Sequence, residues 1–243
     1  MVAYAAADVI HEAGHALVSR LSGFDTLSIS TVATQSSSSS RSLAAAGCIA
    51  NVLTGAIAWL LLRKAQRLTA TQYFLWLFGC VSLMNVGYLV FSALLDSGDW
   101  AQVIAGLQPA MAWRGGMGIA GLLLYIVVVR LASRLMLRAV EKGLVAQGDV
   151  ERLTVPAYWA GGVVMTAASL LNPIALNLVW TAGLGSSLGL TSGLLGIAPI
   201  VARRAGSGHT RVGEPVPPHR GWIAAGVCVA VLFVGWLGPG IRF

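Results

Sequence analysis

Residues 2–22 read VAYAAADVIHEAGHALVSRLS. The run is as long as the roughly 20 helical residues needed to cross a hydrocarbon core, yet Asp8, His11, Glu12 and His15 sit among its alanines and valines. No basic region precedes it and no A-x-A-like cleavage site follows, so it reads as a retained first helix and not a signal peptide. Ionisable side chains inside a bilayer cost on the order of 2 to 3 kcal/mol each on insertion scales, so they usually face a polar cavity and do a job.

The rest of the chain supports a membrane setting. Of 243 residues, 56% are apolar and only 10% charged, with a mean hydropathy of +0.76. Soluble domains carry about 25% charged residues, so a normal water-facing surface cannot be made from this chain. Its 29 glycines lie inside apolar runs, as expected where membrane helices pack on small residues. The fold class is an all-α, multi-pass integral membrane protein. Seven segments reach or approach spanning length, near 2–22, 43–62, 71–95, 109–133, 157–180, 183–202 and 221–238. The fifth and sixth, separated only around Gly183 and Gly185, could equally form one broken hairpin, so the count runs from six to eight.

Sixteen Lys and Arg face nine Asp and Glu, a formal charge of +7. The basic residues cluster between apolar runs instead of forming a stripe with interleaved aromatics. Anionic lipid headgroups are therefore the expected partner, and nucleic acid is not. Arg63, Lys64 and Arg67 follow span two, Arg130, Arg134, Arg138, Lys142 and Arg152 follow span four, and Arg203, Arg204, Arg211 and Arg220 follow span six. In a seven-span chain all three groups share one side, which the positive-inside rule makes cytoplasmic. Residues 205–220, rich in Gly and Pro, read as a flexible polar loop. Cys48, Cys80 and Cys228 show no CxxC spacing and read as small buried hydrophobes. Thr26 to Val32 alternates polar with apolar residues and precedes a serine tract, Ser36 to Ser40, which predicts a short strand or hairpin followed by a flexible stretch.

His11, Glu12 and His15 form H-E-x-x-H within the first helix. At i and i+4 two imidazoles emerge on one face and can share a Zn²⁺, while the glutamate is placed to take a proton from water, the pattern of a metallohydrolase. A catalytic zinc wants a third protein ligand. His209 and His219 lie in the polar loop on the basic side and are poorly placed. Asp96 and Asp99 close span three on the membrane side that the His15 half of span one also reaches, so one of them is the natural third ligand. Asp8, three residues before His11, reads either as a partner orienting an imidazole or as a helix-start carboxylate. Asn172-Pro173 predicts a kink in span five.

In these features the chain resembles the site-2 protease family of intramembrane zinc metalloproteases. His11 to His15 is followed by Ala46-Gly47-Cys48-Ile49-Ala50-Asn51, where the family has A-G-P-x-x-N, and then by Asn85 and an acidic turn ending in Asp99, where it has N-x-x-P-x-x-x-L-D-G. Cys48 replaces the usual proline, none follows Asn85, and the turn reads D-S-G-D-W. Leu95-Asp96 preserves the leucine-aspartate pair, whereas Gly98 permits a sharp turn at Asp99; Asp99 is preferred as ligand and Asp96 is the alternative.

The resemblance covers roughly residues 8–105. It implies a catalytic core over 1–105 built on three helices, with further membrane helices over 106–243. It also implies hydrolysis of a peptide bond in or near a transmembrane segment of a protein substrate. His11, His15 and an aspartate would hold Zn²⁺, Glu12 would activate water, and Asn51 and Asn85 would face the cavity to bind substrate backbone or the oxyanion. The 26–32 segment would correspond to a membrane-edge strand able to pair with unwound substrate. Family members usually open their site toward the cytosol, whereas the basic loops put it on the opposite side. A catalytically inert relative that binds membrane partners, and a small metal-ion transporter using the same histidines and aspartates, are the alternative functions. A membrane-anchored AAA protease is excluded, because no Walker A pattern occurs.

Overall fold

The computed structural model describes residues 1–63, 68–172, 185, 187–205 and 220–243. The chain enters as α1 (Val2–Leu21) and folds back as a hairpin, β1 (Thr26–Ile29) and β2 (Thr34–Ser36). Eight helices are described in all, the others being α2 (Arg41–Leu62), α3 (Ala70–Ser92), α4 (Asp99–Ile104), α5 (Ala110–Glu141), α6 (Asp149–Leu170), α7 (Gly193–Ala205) and α8 (Arg220–Leu232). A two-residue strand, β3 (Ile241–Arg242), follows.

Among the described residues, five helices are long and apolar enough to cross a membrane: α2, α3 with its 3-10 extension to Leu95, α5, α6, and α8 extended to Leu237. Of the seven segments expected from sequence, the first and the sixth are not among these five. α1 has the length, but its ionisable residues keep it below the apolarity of a free-standing span, and they turn inward instead: His11, Glu12 and His15 are all buried. The segment expected to span 183–202 contributes the 13-residue α7. Gly183 of the expected break, Pro173 of the expected kink, and the polar loop with His209 and His219 lie outside the described residues.

The expected basic loop after span four is mostly helix. α5 runs for 32 residues, about 48 Å at 1.5 Å per residue, well beyond a hydrocarbon core of about 30 Å. Arg130, Arg134 and Arg138 therefore ride on the helix as it leaves the apolar layer, and Lys142 is its C-cap. Of the cysteines, Cys48 and Cys80 are buried as expected, whereas Cys228 is exposed on α8.

Local sequence explains the boundaries that place the site. Ser40 opens α2 as an N-cap, its side chain accepting from the Leu43 N–H. Thr69 and Gln72 form a reciprocal capping box that opens α3. Between α3 and α4 the chain reverses through Asp96 at φ 57° and Gly98 at φ 76°, left-handed backbone that glycine adopts freely and aspartate tolerates. Both ends of the serine tract are thus put to use, since Ser36 belongs to β2 and Ser40 is the cap.

One apolar core joins the two halves of the chain: Tyr4, Trp76, Met84, Val128, Val150 and Leu194 all belong to it. α3 and α5 cross closely at two glycines. A Cβ at Gly121 would lie 2.6 Å from Phe91 Cα, and one at Gly87 would lie 2.9 Å from Tyr125 N.

The sheet has the order β2-β1-β3. β1 pairs antiparallel with β2, Ile29 opposite Thr34, and antiparallel with β3, Ile29 opposite Ile241. The strand read from Thr26 to Val32 is therefore the centre of a small sheet. Both its edges are taken, which corrects the expectation that it presents a free edge to another chain.

Candidate metal centre

Helical geometry brings the first two groups together. One turn apart on α1, the Nε2 atoms of His11 and His15 lie 3.2 Å from each other. The third comes from the start of α4, where Asp99 Oδ2 stands 3.0 Å from His11 Nε2 and 3.4 Å from His15 Nε2. The three ligand atoms lie within 4.8 Å of one another, with both histidines buried. Two imidazole nitrogens and one carboxylate oxygen with converging lone pairs form a donor set that could hold a metal ion.

The surroundings fit that reading. His15 Nδ1 lies 2.7 Å from the Leu43 carbonyl, which only accepts, so Nδ1 carries a proton and Nε2 is the nitrogen left for a metal ion. Burial alone would raise the Asp99 carboxyl, but hydrogen bonds and positive charge from His11 and His15 outweigh it and hold that carboxyl well below the usual carboxylate range. Gly47 on α2 forms the floor beneath the imidazoles. A Cβ there would sit 2.5 Å from His15 Nε2 and 2.6 Å from His11 Cε1, so no other residue leaves the rings where they are.

Asp96, the alternative ligand, lies apart from the histidines and pairs with Arg114 instead. The left-handed turn at Asp96 and Gly98 separates the two carboxylates, sending one out to α5 and the other in to α1.

Glu12 is buried beside the ligand pair. It is gripped by Thr34 of β2, whose hydroxyl donates to Glu12 Oε2 at 2.7 Å and lies 3.2 Å from the Glu12 carbonyl. The hairpin thus closes over the α1 face that carries H-E-x-x-H. Nothing in the sequence marks Thr34 for this contact, which depends on how far the hairpin folds back. Cys48, read from sequence only as a buried hydrophobe, places its Sγ 4.0 Å from Asp99 Oδ2.

The centre opens into a cavity of about 500 Å³. Asp8, Glu12 and Asp99 line it, and among the described residues no lysine or arginine does. Asn85 also lines it. Asn51 does not: it is fully buried on α2, with Nδ2 3.4 Å from His11 Nδ1. The structure therefore separates two asparagines that sequence reading assigned the same cavity-facing role, because Asn51 points at the back of an imidazole. Asp8 Oδ2 is buried without a hydrogen-bond partner among the described residues.

No protein-family model, curated protein or solved structure matches this chain. The assignment of function rests on the residues themselves.

Proposed function

We propose that the chain is an intramembrane zinc metalloprotease that hydrolyses a peptide bond in or near a transmembrane segment of a protein substrate. The observation that carries this reading is the convergence of His11, His15 and Asp99 beside Glu12, inside a bundle of membrane-length helices. Two histidines and a carboxylate, leaving a fourth position open, suit catalytic zinc. A bound Zn²⁺ would supply Lewis acidity for the attacking water and for the scissile carbonyl.

The protein's own part follows from the contacts. Glu12 takes the proton from water as its oxygen adds to the carbonyl carbon, then gives it to the departing amide nitrogen as the C–N bond breaks. Thr34 holds the carboxylate by one oxygen and leaves the other to receive that proton. Asn85, on the cavity wall, is available to the substrate backbone. In the described sheet the outer edge of β2 is unpaired, and Thr34 and Ser36 of this strand line the cavity. An unwound substrate segment adding to β2 would lie next to Glu12.

The test is elemental analysis of the detergent-purified protein. Wild type and Asp96→Ala should hold about one zinc per chain, while His11→Ala and Asp99→Ala lose it. Glu12→Gln should keep the zinc and cleave transmembrane peptides in proteoliposomes at least roughly 100-fold more slowly than wild type, in line with a general base. Wild type that stays metal-free when zinc is offered would end the protease reading in favour of an inert, partner-binding relative. Zinc flux into proteoliposomes without cleavage would favour a transporter.

A further inference from the structure

Asp8 takes no part in the chemistry proposed above, yet it lines the cavity. α1 begins at Val2, so Asp8 lies beyond the first turn, where the helix dipole no longer favours a carboxylate. Its Oδ2 is buried without a hydrogen-bond partner, and among the described residues no lysine or arginine lines the cavity with it. A carboxylate shut away from water is costly unless a positive or donating group joins it, and acidic residues inside membrane bundles mark the paths of substrates or ions. Thr31, between β1 and β2, is a second such group: 6% exposed, it also lines the cavity, and its hydroxyl has no partner among the described residues. A bound segment would supply what both side chains lack.

Position on α1 indicates which part of that segment meets Asp8. Asp8 precedes Glu12 by four residues, which makes the two carboxylates neighbours on one helical face, about 5 to 6 Å apart at Cβ. A peptide bond presented to Glu12 has the side chain next to it within reach of Asp8. Ala7, Val81 and Leu190 line the same cavity, apolar surface on which the methylene stem of a lysine or arginine can lie while its charged head meets the carboxylate. An inorganic cation suits the place less well, because Asp8 belongs to no cluster of metal-ligating side chains among the described residues. A divalent ion held by His11, His15 and Asp99 would balance Asp99 and Glu12 but leave Asp8 without a countercharge.

We propose that Asp8 is a specificity-determining residue, the acceptor for an ammonium or guanidinium that the substrate carries beside the scissile bond. The inference rests on the protease reading for where the substrate lies. It adds the substrate class: transmembrane segments with a lysine or arginine close to the cut.

The probe is a host transmembrane peptide of leucine and alanine in which a single Lys, Met or Glu is scanned along the segment. Its binding is measured to the full-length, zinc-loaded Glu12→Gln protein in detergent, which should hold substrate without cutting it. At the best position Lys should bind at least about tenfold more tightly than Met, a modest share of what close charge pairs contribute at interfaces, and Glu should bind more weakly than Met. Adding Asp8→Asn should bring the ratio of Lys to Met affinity close to one, Asp8→Glu should keep it, and Asp8→Lys should turn the preference toward Glu. Should Asp8→Asn fail to fold, Asp8→Ser gives the same comparison. A ratio near one in the parent protein, or a preference for Lys that survives in the folded Asn or Ser variant, overturns the proposal and leaves Asp8 a structural carboxylate. If wild type takes up no zinc and cuts nothing, the protease reading falls. The same binding ratio in the metal-free wild type against Asp8→Asn then decides alone: its loss in the variant supports recognition of a cationic side chain by Asp8, and an unchanged ratio overturns it.

Discussion

Gly47 has no room for a side chain. A methyl group at this position would overlap both imidazoles, at 2.5 Å from one and 2.6 Å from the other. Gly47→Ala is therefore expected to lower zinc affinity by at least about tenfold, comparable to the loss of an orienting contact. The helix itself should remain, since alanine is the better helix former; chelator competition together with far-UV circular dichroism separates the two effects. Thr34 makes a different demand. Thr34→Val keeps the β-branched shape and deletes the hydroxyl that Glu12 Oε2 accepts from. Zinc content should be unchanged, while turnover of a transmembrane peptide falls several-fold, with most of the loss in kcat if Thr34 acts by holding Glu12. Thr34→Ser should recover most of it.

At the scale of elements, the site depends on how closely α3 approaches α5, because α3 carries the turn that delivers Asp99. Gly121→Val puts a branched side chain against the backbone of Phe91 and Gly87, contacts that cannot yield as a flexible side chain would. Overpacking of this kind costs roughly 1 to 3 kcal/mol, so thermal unfolding in detergent should show a lower midpoint, accompanied by weakened zinc binding as α4 is displaced. The elements differ in how legible they were from sequence. The ligand pair of α1 follows from a four-residue spacing, since helical periodicity is local and His11 and His15 cannot avoid sharing a face. That Asp99 and not Asp96 stands by the histidines follows from the left-handed turn at Asp96 and Gly98, which glycine hinted at without fixing a direction. β3 was not legible at all. Two residues have no periodicity to read, and Ile241 meets Ile29 only through the packing of everything between them. The same holds for Thr34 and Asn51, whose roles are defined by atoms on another element.

For the whole molecule, the distribution of charge predicts an orientation. Arg63, Lys142, Arg152, Arg203 and Arg220 all sit at helix ends opposite the hairpin, and the positive-inside rule directs that end to the cytoplasm. On that expectation the hairpin and the candidate metal centre would face the other way. Ser38, exposed and lining the cavity, reports on this: Ser38→Cys in a background lacking the three native cysteines should react with a membrane-impermeant maleimide added to intact cells. Labelling only after permeabilisation would place the centre on the cytosolic side, as the resemblance to site-2 proteases implies.

The pairing of β1 with β3 bears on how the protein is made. A ribosome delivers Thr26–Ile29 early, but the partner strand Ile241–Arg242 comes only after α8 has been synthesised. Until then the hairpin that carries Thr34 lacks one of its two neighbours, and the contact over Glu12 is supported from one side. A nascent chain with its zinc ligands in place would thus have a loosely held base, and full assembly of the centre would wait until the last described helix has been inserted. On the proposed function, the short strand would act as a completion signal, withholding hydrolysis from the crowded surroundings of the translocon until Ile241–Arg242 has been delivered.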